Sequence, residues 1–152
     1  MGTEIERKYL VSGEFPRIDG SEIVQCYLCL DAERTIRIRI DAGNATLTIK
    51  GKTVGISRAE FEYPIPLEDA HKLMAMSLAE TVEKTRYRVP HEGAIWEVDV
   101  FRGANKGLMV AEIELAEESE AVALPDWAGE EVSADPRYRN SRLAQLPFTK
   151  WV

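Results

Sequence analysis

Apolar and polar positions alternate with period two along most of this chain. In TIRIRI, Ile36, Ile38 and Ile40 fall on one side of an extended backbone, and Arg37 and Arg39 fall on the other. Runs of this kind predict strands over 3–11, 23–31, 34–41, 44–50, 57–64, 80–89, 94–101 and 108–115. DAE (31–33) and DAGNA (41–45) carry turn residues between neighbouring runs. The period changes once, in PLEDAHKLMAMS (66–77), where Leu67, Ala70, Leu73 and Met74 share one face of a predicted helix. The tail differs again. SEAVALP (119–125) predicts a short helix, and DPRYRNSRLAQ (135–145) predicts another, with Asp135 as N-cap and Pro136 in its first turn. There are no repeats, low-complexity segments or linkers, so one domain over 1–152 is expected. The element order predicts a mainly β chain of the α+β class, built on an antiparallel sheet that is curled or closed.

The polar side of these strands carries mostly charge. Glu4, Glu6 and Lys8 share a face, as do Lys50 and Lys52, then Arg58, Glu60 and Glu62, then Lys84, Arg86 and Arg88. Glu97 with Asp99, and Glu112 with Glu114, repeat the spacing. One solvated sheet face would alternate in the same way. Two features argue for an inward charged face instead. The charges are sorted by strand, with RIR, KGK and KTRYR basic and EFE, EVD and EIE acidic. Ser, Thr and Gln, which solvated strands use freely, are sparse. Clustered cations inside a barrel need anions, and clustered carboxylates need cations. A polyanion with a divalent metal satisfies both. Carboxylate oxygens select Mg²⁺ or Mn²⁺ over zinc, and the planar guanidinium fork of Arg fits phosphate oxygens.

Composition narrows this reading. The chain has 152 residues and a net charge of −7, which disfavours non-specific binding to nucleic acid or to an anionic membrane. No apolar run reaches the roughly 20 residues of a membrane helix, and no signal peptide is visible, so a cytoplasmic location is expected. Cys26 and Cys29 have the spacing of half a zinc site, but one pair is too few for a structural zinc, and reduced packed thiols are expected. GKT (51–53) lacks the upstream glycine of a phosphate loop, and His71 and His91 have no partner in the pattern.

The ordered set EIERK, RIR, the Lys of TIK, EFE, KTR, EVDVF and AEIEL, with EEVSADPRYRNSRLA in the tail, resembles the CYTH domain, or triphosphate tunnel metalloenzyme, superfamily. The resemblance runs from Glu4 to about Leu143, and no core motif departs from it. It implies a closed eight-stranded antiparallel β-barrel, a tunnel that holds a triphosphate with divalent metal, a few flanking helices and a C-terminal helix at one tunnel end. By position it implies metal binding by Glu4, Glu6, Glu112 and Glu114, joined by Asp99 and Glu62. It implies phosphate binding by Lys8, Arg37, Arg39, Lys50, Lys84 and Arg86, with Lys52 and Arg88 continuing the same faces. Glu4, Glu6 and Lys8 together would form the catalytic edge.

The resemblance implies metal-dependent hydrolysis of a triphosphate, with inorganic tripolyphosphate the leading substrate. Two alternatives stay open: conversion of ATP to cyclic AMP by a class IV adenylyl cyclase-like enzyme, and a non-catalytic polyphosphate-binding module. Other organic triphosphates, such as thiamine triphosphate, are a smaller alternative. The expected partner is a small triphosphate-containing molecule rather than nucleic acid or membrane, and a homodimer stays open.

Overall fold

The computed structural model describes residues 2–152. Eight strands follow the sequence pattern closely: β1 (Gly2–Val11), β2 (Ser21–Leu30), β3 (Arg34–Asp41), β4 (Asn44–Gly51), β5 (Ser57–Ile65), β6 (Val82–His91), β7 (Ala94–Arg102) and β8 (Met109–Glu114). Neighbours run in the order β5-β4-β3-β2-β6-β7-β8-β1, and β1 pairs back onto β5. All these pairings are antiparallel, so the sheet closes into a barrel. Two hairpins are set by left-handed turn residues, Ala42 and Gly43 (φ 51° and 85°) and Glu92 and Gly93 (φ 47° and 82°). That pairing of positive φ values matches the twist of the flanking strands.

The barrel is polar inside and apolar outside, and three clusters cover or close its wall. α1 (Leu67–Met74) lies over β2, β3 and β4 and buries Cys26, Ile38, Ala45 and its own Ala70. Leu73 and Met74 pack partly against this cluster, but Leu67, expected on the same face, is 40% exposed at the first turn. A second cluster joins Tyr9, Trp96, Val98 and Trp127 on the outer wall of β1, β7 and β8. There the Trp96 ring lies 5.5 Å from Tyr9 and 5.6 Å from Trp127. The third fills one barrel end, where Tyr27, Val82, Phe101 and Val110 meet Leu143 and Ala144 of α2 (Asn140–Gln145). Each large side chain buried in this way contributes about 1.5–3 kcal/mol. Cys26 and Cys29 are both free thiols, the first buried under α1.

The tail departs from the sequence pattern in two places. Residues 119–125 form no helix. A seven-residue helix is too short to stand without packing, and of its apolar residues Val122 joins the tryptophan cluster while Leu124 stays 51% exposed. A ninth strand, β9 (Ala128–Glu131), pairs with the end of β1. Its sequence, AGEE, has no alternation to reveal it. The 135–145 helix divides in two: a short 3₁₀ turn at Pro136–Tyr138, capped by Asp135 accepting from the Arg137 amide, and then α2.

Candidate functional site

The period-two charges meet in one cavity of about 220 Å³ inside the barrel. The strand order sorts them into two opposed arcs. β7, β8, β1 and β5 are adjacent and carry carboxylates: Glu97, Glu112, Glu114, Glu4, Glu6 and Glu60. β4, β3, β2 and β6 make the facing arc, with Lys50, Arg37, Arg39 and Arg86. Lys8 and Arg58 are the cations set into the acidic arc.

Where the arcs join, the charges pair. At the β4–β5 seam Lys50 donates to both oxygens of Glu4 at 3.0 and 3.1 Å and lies 3.2 Å from Glu60. Arg58 adds a contact to Glu4 at 3.2 Å. Burial opposes ionisation of Glu4, but Lys50 and Arg58 outweigh it and hold its carboxyl down at about 2. At the β6–β7 seam Arg86 forks onto Asp99 at 2.7 and 2.9 Å and reaches Glu112 at 3.1 Å and Glu97 at 3.2 Å. Burial works against this guanidinium charge, yet Asp99 and Glu112 raise its proton affinity above the usual arginine value.

Glu6 and Arg39, between these seams, are not ion-paired among the described residues. Glu6 stands opposite Glu114 in the β1–β8 register and has no ion pair among the described residues. Burial, with Glu112 and Glu4 beside it, pushes its carboxyl up to about 8. Desolvation, then Glu4 and Glu97, also raises Glu114. On the other side Arg39 finds, among the described residues, only the Gln25 amide oxygen, at 2.9 Å. Burial, Arg37 and Arg86 bring it down to about 10. The buried Nε of Arg37 has no hydrogen-bond partner among the described residues. Carboxylate oxygens of Glu4, Glu60 and Glu114 lie within 4.8 Å of one another, close enough to share one cation.

Four of the expected site residues, Lys84, Asp99, Lys52 and Arg88, fall outside the tunnel lining, and a fifth, Glu62, falls at its mouth. Lys84 and Asp99 are fully buried behind Arg86, 2.8 Å apart, so both Asp99 oxygens are engaged by Lys84 and Arg86. Burial lowers the Lys84 ammonium to about 7 in spite of Asp99. Lys52 lies outside the tunnel, 64% exposed and 3.9 Å from Glu33. Glu62 reaches the tunnel only near its mouth, 48% exposed and 3.5 Å from Arg37. Arg88 pairs with Asp41 at that same end, 3.5 Å away.

The sequence pattern passed over four residues that the structure brings in. Glu60 and Arg58 sit on the charged face of β5, where spacing alone does not rank one glutamate above another; register with Lys50 and Glu4 does. Gln25 and Asn140 carried no signal. Asn140, at the start of α2, accepts from Lys84 at 3.0 Å and from Gln25 at 3.3 Å, which seats α2 in the barrel end. The Tyr138 carbonyl accepts from Lys8 at 3.1 Å beside it.

A closed antiparallel barrel with opposed acidic and basic arcs defines a tunnel protein for a polyanion and a cation together. The CYTH domain family model matches residues 2–146, and the chain belongs to that family. An inorganic triphosphatase of Acetivibrio thermocellus is 42% identical over 151 residues, which cover 97% of each chain. An inorganic triphosphatase of Nitrosomonas europaea is 38% identical over 149 residues, 93% of this chain and 97% of its own. A crystal structure of an inorganic triphosphatase superposes with a TM-score of 0.69 at 34% identity, over 95% of both chains.

Proposed function

We propose that this chain is a divalent-metal-dependent inorganic triphosphatase that hydrolyses tripolyphosphate to pyrophosphate and orthophosphate. The observation that carries the proposal is the pair of uncompensated arc centres, Glu6 facing Glu114 on one side and Arg39 with the orphaned Arg37 Nε on the other. A phosphate chain satisfies the second, and a cation on its oxygens satisfies the first.

The donor set fits a hard divalent cation. Glu4, Glu60 and Glu114 already converge, and Glu6 and Glu112 stand next to them. Asp99, buried between Lys84 and Arg86, acts in this reading as the carboxylate that aims Arg86 rather than as a ligand. Bound Mg²⁺ or Mn²⁺ supplies a Lewis acid for the phosphate oxygens. Arg37, Arg39, Lys50 and Arg86 neutralise the phosphate chain, and Lys8 reaches it from the acidic side. Water attacks the terminal phosphorus in line, the anhydride P–O bond breaks, and pyrophosphate leaves. The proton released by the water passes to a carboxylate of the acidic arc. Positioning and charge stabilisation suffice for this chemistry.

Tyr27 is the only aromatic ring on the tunnel wall among the described residues, which offers a nucleobase little to stack on. Phosphate release from tripolyphosphate, ATP and thiamine triphosphate tests the reading. Tripolyphosphate is expected to turn over fastest, and chelator is expected to stop turnover until Mg²⁺ or Mn²⁺ is restored. Cyclic AMP formed from ATP faster than phosphate from tripolyphosphate would give the tunnel to the cyclase reaction.

A further inference from the structure

The two ends of the tunnel differ in charge. At the end away from α2, the rim carries Asp41 and Glu62, and its cation Arg88 is paired to Asp41. At the other end α2 closes part of the opening, and a second cavity of about 690 Å³ lies between α2, the start of β3 and the end of β4. Its walls bring together Arg34, Lys52, Arg58, Arg139 and Arg142, against the single carboxylate of Asp31. Thr35, Arg58 and Ser141 line both this cavity and the tunnel, so the two spaces meet at these residues.

These cations are poorly compensated. Arg34 pairs with Asp31 at 3.0 Å, and among the described residues Lys52 has only Glu33, at 3.9 Å. Arg58 is turned inward to Glu4. Arg139 and Arg142 have no ion pair among the described residues. Burial, Arg58 and Arg142 lower the proton affinity of Arg139, as expected for cations crowded without anions. The chain as a whole carries −7, which repels a polyanion at long range. A local basic mouth with low-dielectric walls reverses that field where it counts.

We propose that this vestibule is the entry subsite for the polyanionic substrate, where the leading phosphoryl group of a linear phosphate chain binds before it passes Arg58 into the tunnel. The proposal rests on the triphosphatase reading for the identity of that chain. Arg34 and Arg142 supply the field, and Arg58, shared by the two cavities, passes the anion on to Arg37 and Lys50. At the far end the rim cation Arg88 is held by Asp41, so the vestibule exerts the stronger pull on the anion.

The test uses the double variant Arg34→Glu/Arg142→Glu, with Lys72→Glu as the charge control. Lys72 lies on α1, exposed and paired with Glu68. Steady-state turnover of tripolyphosphate is measured from low to high ionic strength, with thermal melting as the fold check. The double variant is expected to lose kcat/KM by about 10–100-fold at low salt, through KM with kcat held within about twofold, and to lose most of the salt dependence shown by the wild type. Lys72→Glu is expected to shift kcat/KM less than about threefold. If the double variant tracks Lys72→Glu at every salt concentration, the vestibule is not the entry subsite. Should the charge reversals unfold the chain, Arg34→Gln/Arg142→Gln decides by the same criterion. Should the wild type prove inactive on tripolyphosphate, the triphosphatase reading falls. Calorimetric binding of tripolyphosphate to the same variants then decides the vestibule, equal affinity of wild type and double variant overturning it.

Discussion

The seams of the tunnel and the centres of its two arcs contain the same residue types and behave oppositely. At the seams, Glu4 with Lys50 and Arg86 with Asp99 are mutually satisfied, and proximity drives Glu4 down to about 2. At the centres, Glu6 is pushed up to about 8 and Arg39 down to about 10. Glu4 and Glu6 have the same chemistry and stand two residues apart on one strand face. What separates them is the company each keeps: β5 brings Arg58 and β4 brings Lys50 to Glu4, while Glu6 is desolvated beside Glu112 of β8 and Glu4 itself. The seams therefore hold the barrel shut, and the centres hold the unspent charge that ligands complete.

The largest expected effect is on turnover at the centres. Glu6→Gln and Arg39→Ala each remove a group that meets developing or transferred charge, and each is expected to lower kcat on tripolyphosphate by about a hundredfold or more. Near-normal turnover in either variant would mean that the centres are spectators.

Stability of the metal-free protein should then separate centre from seam by sign. Glu4→Gln leaves Lys50 with Glu60 alone and takes the carboxylate from Arg58 in a buried site, and a loss of about 3 kcal/mol is expected. Glu6→Gln relieves crowding instead, and a gain of about 1–3 kcal/mol near neutral pH is expected in chelator. The pH dependence follows the same division. Glu6 rises from 4.5 to about 8 on folding, so between those values the folded chain binds more protons than the unfolded one. Its contribution therefore falls as pH rises through that window, and Glu6→Gln removes the fall. Glu4 drops from 4.5 to about 2, so its contribution is complete above the upper value and fades as acid approaches the lower. Melting curves of both variants against pH check this, and equal signs for the two would erase the distinction.

A smaller effect is expected at the basic arc's support. Asn140→Ala removes the acceptor shared by Lys84 and Gln25, and Gln25 in turn holds Arg39. About 1–2 kcal/mol of stability and about tenfold in kcat are expected to go, since a buried ammonium and a buried amide each lose a partner. Unchanged turnover with unchanged melting would show that α2 only covers the barrel end.

Much of this architecture was legible because one physical rule, alternation at period two, fixes both strand position and side-chain face. Each of the eight barrel strands lies within two residues of its expected bounds, and the acidic and basic runs were already sorted strand by strand. What alternation does not contain is register. Glu62 and Glu60 share a face, and only the pairing of β4 with β5 places Glu60 at Lys50 and leaves Glu62 at the rim. Depth is equally hidden: Lys84, Arg86 and Arg88 run from the buried barrel end outwards, so one spacing gives a buried support, a tunnel lining residue and a rim pair. Asn140 and β9 were invisible for a different reason, being an isolated polar residue and a short segment whose partners lie far off in sequence, at Gln25 and Lys84 for the first and on β1 for the second.

The smallest expected effect belongs to Arg7, the charge between Glu6 and Lys8 that alternation turns to the outside. Its guanidinium lies 2.9 Å from Glu131 on β9 and 3.1 Å from the Glu118 carbonyl, both on the outer wall. The ion pair is partly exposed, 29% and 38% for the two side chains, so solvent screens it and about 0–1 kcal/mol is at stake. Arg7→Ala should therefore soften the attachment of β9 and leave kcat and KM within about twofold, as surface substitutions usually do. The contrast with Glu6→Gln is the sharpest use of one strand to test the whole geometry, since the two positions are covalent neighbours and differ only in face. A loss of activity in Arg7→Ala as deep as in Glu6→Gln, in a variant that melts like the wild type, would mean that the outer face of β1 takes part in the chemistry. The inward direction of the charges would then no longer account for the site.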